Sequence, residues 1–345
     1  MPQRRERRMQ PTARMRRMVL RAPGPIGERP LALEEVGDPE PRAGEIAIAV
    51  RACAICRTDL QIVEGDLAAR RLPIVPGHQI VGEVAAVGPG VARWKLGDAV
   101  AVGWLGRACG TCRQCLAGKE NLCESAHFTG WDRDGGYATR AIVDGAFAFG
   151  LPAGFDPVDA APLLCGGVIG YRSLKRARVE PGMRVGLYGF GASALLALQV
   201  ARHWGCRVFV VTRSNDERAR AREMGAEWAG GYDEALPEPL DAAVTFAPVG
   251  DVVIAALRAV ARGGTVAINA IHLDRIPQFS YDLLWWERNL VSVSNYTRGD
   301  ATELLGLAAA IPIQTRFERH PLEAANDVLA RLREGKIAGA AVLLP

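Results

Sequence analysis

Four cysteines, three in the run Cys109-Gly110-Thr111-Cys112-Arg113-Gln114-Cys115 and the fourth at Cys123, are spaced so that four thiolates can close around one tetrahedral ion. A closed four-sulfur site has no free coordination position, so the motif predicts a structural zinc and no reaction at that ion. A ferredoxin run also begins Cys-x2-Cys-x2-Cys, but it continues with three intervening residues and a Cys-Pro pair. Here seven residues intervene and Glu124 follows Cys123. A disulfide framework suits short secreted chains rather than 345 residues. Chemistry at a metal must therefore be sought elsewhere. Three residues far apart in the chain could supply it: Cys56 in Cys53-Ala54-Ile55-Cys56-Arg57-Thr58-Asp59, His78 in Pro76-Gly77-His78-Gln79, and Cys165 in Leu163-Leu164-Cys165-Gly166-Gly167. Two thiolates and one imidazole leave zinc a fourth position for water or a substrate oxygen. Since a lone cysteine is usually a core residue and a lone histidine usually structural, this reading depends on the three converging in the fold.

A second kind of chemistry is written at Gly189-Phe190-Gly191-Ala192-Ser193-Ala194, which fits Gly-x-Gly-x-x-Gly/Ala between a buried strand and a helix. In that setting the first helical amides can face a dinucleotide pyrophosphate. At the end of the next strand stand Thr212-Arg213-Ser214-Asn215, where an NAD-binding chain usually carries Asp or Glu. With no acid there and Arg213 able to complement a 2′-phosphate, NADP(H) is expected over NAD(H), although Asp216 could reach back.

The elements that must position these groups fall into two patterns. From Met18 to about Phe149, short β runs such as 45–51 and 98–102 are punctuated by Gly and Pro, as in a compact β-rich domain with irregular loops. After about residue 166, buried strands at 185–188, 208–211, 242–246 and 265–268 alternate with helical segments, which predicts a parallel sheet. About half of the residues are hydrophobic, enough for two cores. No uninterrupted apolar stretch of about 18 residues occurs, and the N-terminus lacks the apolar segment of an export signal; a cytoplasmic protein is expected. The net charge of +4 is the sum of −2 in the rest of the chain and +6 in residues 1–17, where seven arginines meet only Glu6. That segment is expected to be a disordered tail, and Met15 and Met18 offer an upstream start assignment as an explanation for it.

Taken together, these motifs resemble those of zinc-dependent alcohol dehydrogenases of the medium-chain dehydrogenase/reductase superfamily. The Cys-Arg-Thr-Asp segment, the Gly-His segment with Gly82 and Gly88, the four-cysteine lobe, the Leu-Leu-Cys-Gly-Gly segment and the glycine fingerprint follow one another in the family's order. The resemblance implies an α/β chain with a GroES-like β-rich catalytic domain at 18–166 and a Rossmann-type doubly wound parallel sheet at 167–296. Residues 297–345 return to the catalytic part. It assigns Cys56, His78 and Cys165 to a catalytic zinc, Cys109, Cys112, Cys115 and Cys123 to a structural zinc, and Asp59 to orienting His78. Thr58 would pass the substrate proton toward solvent, and zinc would lower the alcohol's pKa so that hydride moves to nicotinamide. Arg57 would approach the pyrophosphate. Ala247, Pro248, Asn269, Ala270 and Ile271 would end strands beside the nicotinamide, with His272 a surface or ribose-contacting residue. Cys53 and Cys206 are expected to be packing residues.

Three departures from the family pattern matter. Gln61 replaces a titratable histidine, so the outer proton step is expected to use water. Gln79 replaces a glutamate able to approach zinc. In 336–340 alanine stands where relatives often hold a second arginine. Trp104, Leu105 and Trp131 with Thr58 are expected to wall an apolar pocket suited to small aliphatic or aromatic alcohols and aldehydes. Alternatives are a reductase of conjugated carbonyl double bonds and an idle nucleotide-binding sensor. A zinc-ribbon nucleic-acid binder is opposed by the few cations of the lobe, Arg107, Arg113 and Lys119, and by the lack of a basic–aromatic stripe. A homodimer or homotetramer joined through edge strands of the cofactor sheet is also expected.

Overall fold

The computed structural model describes residues 14–152, 155–270, 273, 275–311, 313–337 and 339–345. Two large sheets organise the chain. The first is antiparallel except at one edge and runs Phe317–Pro321, Ala340–Leu344, Glu45–Ile55, Gln79–Val87, Ala99–Val102, Ala148–Gly150, with Arg140–Asp144 also paired to Glu45–Ile55. Its two outermost members, Phe317–Pro321 and Ala340–Leu344, pair in parallel. Strands from both ends of the chain thus share one sheet.

The second sheet is parallel throughout. Its spatial order is Trp228–Gly230, Arg207–Val211, Arg184–Tyr188, Leu240–Thr245, Val260–Ile268, Asn289–Ser292. Numbered along the chain this is 3-2-1-4-5-6, the doubly wound arrangement that binds dinucleotides where the order reverses. The strands are apolar on both faces because the helices Ala192–His203, Asn215–Glu223 and Gly250–Ala259 cover them. Val185, Leu187, Val208, Phe209, Val210 and Val244 are all buried, each such side chain contributing about 1.5–3 kcal/mol of burial. The expected α/β class, a GroES-like part with a Rossmann-type sheet, is what the chain adopts.

One boundary differs from expectation. Arg14 to Arg17, read from the sequence as tail, form the first half of the strand Arg14–Leu20, which pairs with Leu31–Gly37. The arginines are held by acids the local sequence does not reveal: Arg17 pairs with Glu34 at 3.0 Å, and Arg16 with Glu323. Met15 and Met18 are buried in the core. Among the described residues no helix is long and apolar enough to cross a membrane.

Candidate metal centre and dinucleotide site

The three scattered ligands converge. Cys56 Sγ, a ring nitrogen of His78 and Cys165 Sγ all lie within 4.8 Å of one another, with Cys56 Sγ 3.2 Å from His78 Nε2. Local chemistry places each of them. Cys56 is the N-cap of the helix Arg57–Glu64: its sulfur accepts the Thr58 N–H at 3.3 Å, while Asp59 Oδ2 accepts the Cys56 N–H at 2.9 Å. This is a capping box in which cysteine takes the usual place of Ser or Thr. Asp59, fully buried, also takes the Gly77 N–H at 3.2 Å and faces His78 Nδ1 at 3.0 Å. One carboxylate therefore closes a helix turn and orients the imidazole so that Nε2 points to the sulfurs. Cys165 is the N-cap of the helix Gly166–Arg176, so both thiols sit where a helix end favours negative charge.

The electrostatics agree with that placement. A hydrogen bond from Cys165 draws the Cys56 thiol down to about 5, with help from His78 against the cost of burial. The same bond, with burial, pushes Cys165 up. Burial works against a charged His78, but the Cys56 and Asp59 charges and hydrogen bonds outweigh it and raise its pKa. The pair of thiols thus shares a proton that a bound cation would displace. Three soft and borderline donors in a buried pocket fit zinc with one position left over.

In the lobe, Cys109, Cys112, Cys115 and Cys123 likewise lie within 4.8 Å of one another. The Cys109 and Cys115 sulfurs are 3.8 Å apart, close to the spacing that two sulfurs take on one tetrahedral zinc with bonds of about 2.3 Å. Cys109 Sγ accepts the Cys112 N–H at 3.3 Å, and Cys123 Sγ accepts the Cys109 N–H at 3.4 Å, bonds suited to thiolates. Backbone bonding, first from Thr111 and then Cys112, lowers Cys109 to about 6. Four donors fill a tetrahedron, so this set fits a closed site.

Trp104 stands edge-on to His78 at 5.0 Å and is stacked with Phe128 at 5.1 Å and Trp131 at 5.7 Å. Trp131 donates its indole N–H to Ala68 O at 2.9 Å, and the Arg70 guanidinium lies 3.8 Å over its ring. Phe128 and Arg70 carry no motif and were not legible from the sequence; tertiary contact alone gathers them. Leu105, expected in the pocket wall, is instead fully buried in the core, with its N–H on the Tyr296 hydroxyl at 3.3 Å. Thr58 is half-buried, one residue into the helix that Cys56 caps. Gln79 donates to Ala54 O at 3.2 Å, which turns its amide to the backbone. Gln61 is buried on the helix that starts at Arg57. Cys53 is buried without joining either cluster, and Cys206 donates to Glu180 O at 3.3 Å.

The dinucleotide motif lies at the end of the central strand. Gly189 has φ +89° and donates to Val211 O at 2.8 Å, and Ala247 closes behind it, bonded to Tyr188 O at 3.2 Å. The helix Ala192–His203 begins with Gly191 as an N-cap without any side-chain bond, beside an exposed Ala192, a half-buried Ser193 and a buried Ala194. Open space lies next to Gly191. Its first amides are thus offered to an anion. The Cys165 helix packs on this one with Gly170 against Ser193, which brings metal cluster and fingerprint together. Arg57 is exposed at the first position of its helix. Pro248 is exposed, Asn269 donates to Thr245 O at 2.9 Å and Ala270 is half-buried, while Ile271, His272 and Ala338 lie outside the described residues.

At the second strand's end Arg213 is exposed, and Ser214 caps the following helix through the Glu217 N–H at 3.3 Å. The local sequence shows no acid at this strand end, yet Glu217 folds back from the first helical turn and accepts the Thr212 hydroxyl. Arg218 donates to Thr212 O at 2.8 Å. A helix turn, not sequence adjacency, places this carboxylate.

Residues 42–153 match the model of the alcohol dehydrogenase GroES-like domain, and residues 194–310 that of the zinc-binding dehydrogenase. A Mycobacterium tuberculosis protein named "Probable alcohol dehydrogenase AdhA" is 46% identical over 339 residues, covering 96% of this chain and 98% of its own. An alcohol dehydrogenase of Geobacillus stearothermophilus is 34% identical over 325 residues, covering 92% and 96%. Among solved structures, the cobalt- and zinc-bound thermostable alcohol dehydrogenase of Pyrobaculum aerophilum has a TM-score of 0.86 at 27% identity, covering 96% of this chain and 100% of that one.

Proposed function

Because this chain belongs to the zinc-dependent alcohol dehydrogenases of the medium-chain dehydrogenase/reductase superfamily, we propose that it interconverts small primary or secondary alcohols with their aldehydes or ketones, preferring NADP(H). The observation that carries the reading is the three-donor cluster of Cys56, His78 and Cys165 beside the glycine fingerprint. Cys56, His78 and Cys165 would hold a catalytic zinc, and the four lobe cysteines a structural one. Zinc and nicotinamide, when bound, supply a Lewis acid for the substrate oxygen and a hydride carrier.

The chain's own residues do the rest. Asp59 fixes the ring of His78 by accepting at Nδ1. The Thr58 hydroxyl relays the substrate proton, and beyond it Gln61 can pass a hydrogen bond but not titrate, leaving the final step to water. Trp104, Trp131 and the adjoining Phe128 exclude water and favour flat or aliphatic substrates over sugars. Gly191 and the helix behind it, with Arg57, hold the pyrophosphate. Arg213 complements the 2′-phosphate. The catalytic part comprises 18–166 and 297–345, and the cofactor part 167–296. We further read the protein as a homo-oligomer joined at the edge strand Asn289–Ser292, next to which Tyr281, Trp285 and Trp286 are exposed.

The test is turnover across a panel of alcohols, aldehydes and conjugated enals with each cofactor, with product identification. Alcohol as the product of aldehyde reduction, faster with NADPH, is expected. A saturated carbonyl product from the enals, or no turnover by protein holding two zinc ions per chain, would overturn the reading.

A further inference from the structure

Tyr296 has no task in the reading above, yet it reaches from the end of the parallel sheet to the backbone that carries Trp104. It lies between the strand Asn289–Ser292 and the helix Arg298–Ala310, is 2% exposed, and belongs to the same core as Leu105 and Leu164. The four-cysteine lobe holds the segment on both sides of it: Asn121 donates to Ser294 O at 2.7 Å, and Glu120 accepts the Arg298 N–H at 2.9 Å. At its tip the hydroxyl accepts the Leu105 N–H at 3.3 Å.

That N–H belongs to the peptide joining Trp104 to Leu105, and the carbonyl of the same peptide accepts the Thr129 N–H at 2.9 Å. A peptide is planar, so bonds at both of its ends fix its rotation and with it the direction in which the Trp104 side chain leaves the backbone. Gly103 and Trp104 form the break between the strands Ala99–Val102 and Leu105–Arg107. The indole so aimed stands edge-on to His78 at 5.0 Å and stacks with Phe128 and Trp131. Gly103 completes the fit: a Cβ there would come within 2.0 Å of the Tyr296 hydroxyl and 2.8 Å of Leu164 O, the carbonyl next to Cys165. Having no side chain at position 103 is thus what lets the phenol reach the peptide.

We propose that Tyr296 is a positioning residue for substrate choice: its hydroxyl fixes the Trp104–Leu105 peptide and so holds the indole wall against which the ring of an aromatic alcohol lies beside the metal site. The inference rests on the reading of Trp104 as a wall of the substrate pocket. A short alcohol such as ethanol covers little of that wall, whereas benzyl alcohol presents a ring to it. Losing one net hydrogen bond shifts an equilibrium by about 2- to 10-fold. Tyr296→Phe should therefore raise KM for benzyl alcohol by roughly 3- to 10-fold, with kcat little changed and KM for ethanol within about two-fold of wild type.

The test is steady-state oxidation of ethanol and benzyl alcohol by the zinc-loaded wild type, Tyr296→Phe, Trp104→Ala and the double variant, read as the ratio of kcat/KM for benzyl alcohol over ethanol. A merely structural loss would lower the active fraction and reduce kcat for both alcohols alike, leaving that ratio and both KM values where they were. The expected result is a ratio lowered by roughly 3- to 10-fold in Tyr296→Phe, lowered in Trp104→Ala, and no lower in the double variant than in Trp104→Ala. A further fall in the double variant overturns the proposal. If Tyr296→Phe does not fold, Gly103→Ala, whose Cβ would take the hydroxyl's place, should lower the ratio, and an unmoved ratio there overturns the proposal by itself. Wild type inactive on both alcohols would sink the assigned activity together with this inference. Trp104→Ala with an unmoved ratio would sink the wall reading and the inference with it, whereas an unmoved ratio in Tyr296→Phe alone would sink only the role of Tyr296.

Discussion

Glu217 and Arg213 both stand near the end of the strand Arg207–Val211, and in the proposed function their balance sets the preference for one cofactor. The carboxylate is turned onto the Thr212 hydroxyl, whereas Arg213 is exposed and able to swing toward a phosphate. A charge-assisted bond to a 2′-phosphate is worth about 1.5–3 kcal/mol. Arg213→Ala should therefore lower the ratio of kcat/KM for NADPH over NADH by about ten-fold or more. Glu217→Gln, which removes the repelling charge and keeps the hydrogen bond to Thr212, should raise that ratio a few-fold. Steady-state kinetics with both cofactors checks each; a wild type that prefers NADH ten-fold would refute the role given to Arg213. At the same scale, the Gln79 amide is tied to Ala54 O, so this side chain is part of the backbone's bonding.

Among the elements, the helix Arg298–Ala310 ties the parts together. Its N-terminal Asp300 is buried, accepts from the Thr297 N–H at 2.9 Å and hydroxyl at 2.8 Å, and pairs with Arg172 at 2.5 Å and Lys175 at 3.1 Å on the Cys165 helix. The lobe grips the same region: Glu120 takes the Arg298 N–H at 2.9 Å, and Asn121 donates to Ser294 O at 2.7 Å. Burial alone would raise the Asp300 pKa, but the Thr297 bonds and the cations outweigh it and hold it below the ordinary value. A depressed carboxylate stabilises the fold above its unfolded pKa of about 3.9 and loses that contribution as pH falls through the folded value. Asp300→Asn should lower the melting temperature at pH 7, at a cost of roughly 2 kcal/mol, discounted from the ~3–5 of a fully buried pair because Lys175 is exposed. It should also flatten the fall in melting temperature below about pH 4. Melting curves from pH 7 to 2 would show this; parallel curves for variant and wild type would not fit it.

For the whole molecule, the edge strand Asn289–Ser292 is short and flanked by exposed Tyr281, Trp285 and Trp286, the last under the Arg262 guanidinium at 3.6 Å. An open strand edge with aromatic side chains beside it is what a symmetric partner covers. Light scattering is expected to give a dimer or tetramer, and Trp285→Asp with Trp286→Asp to shift it toward monomer; a monomeric wild type would remove this part of the reading. Metal analysis of the same protein is expected to give two zinc ions per chain, falling to one in Cys56→Ser.

The local pattern of residues by itself determined the four-cysteine lobe, the strand–glycine–helix fingerprint and the alternation that makes a parallel sheet, since each depends on neighbours a few positions apart. Cys56 was readable as a candidate ligand and Asp59 only through the family resemblance, although the bonds that seat them span just three residues. What tertiary structure decided lies between distant segments: the meeting of Cys56, His78 and Cys165 and the withdrawal of Leu105 into the core. A side chain's type states which bonds it can make, but only the packing of elements far apart in the chain states which partner stands within 3 or 4 Å to receive them.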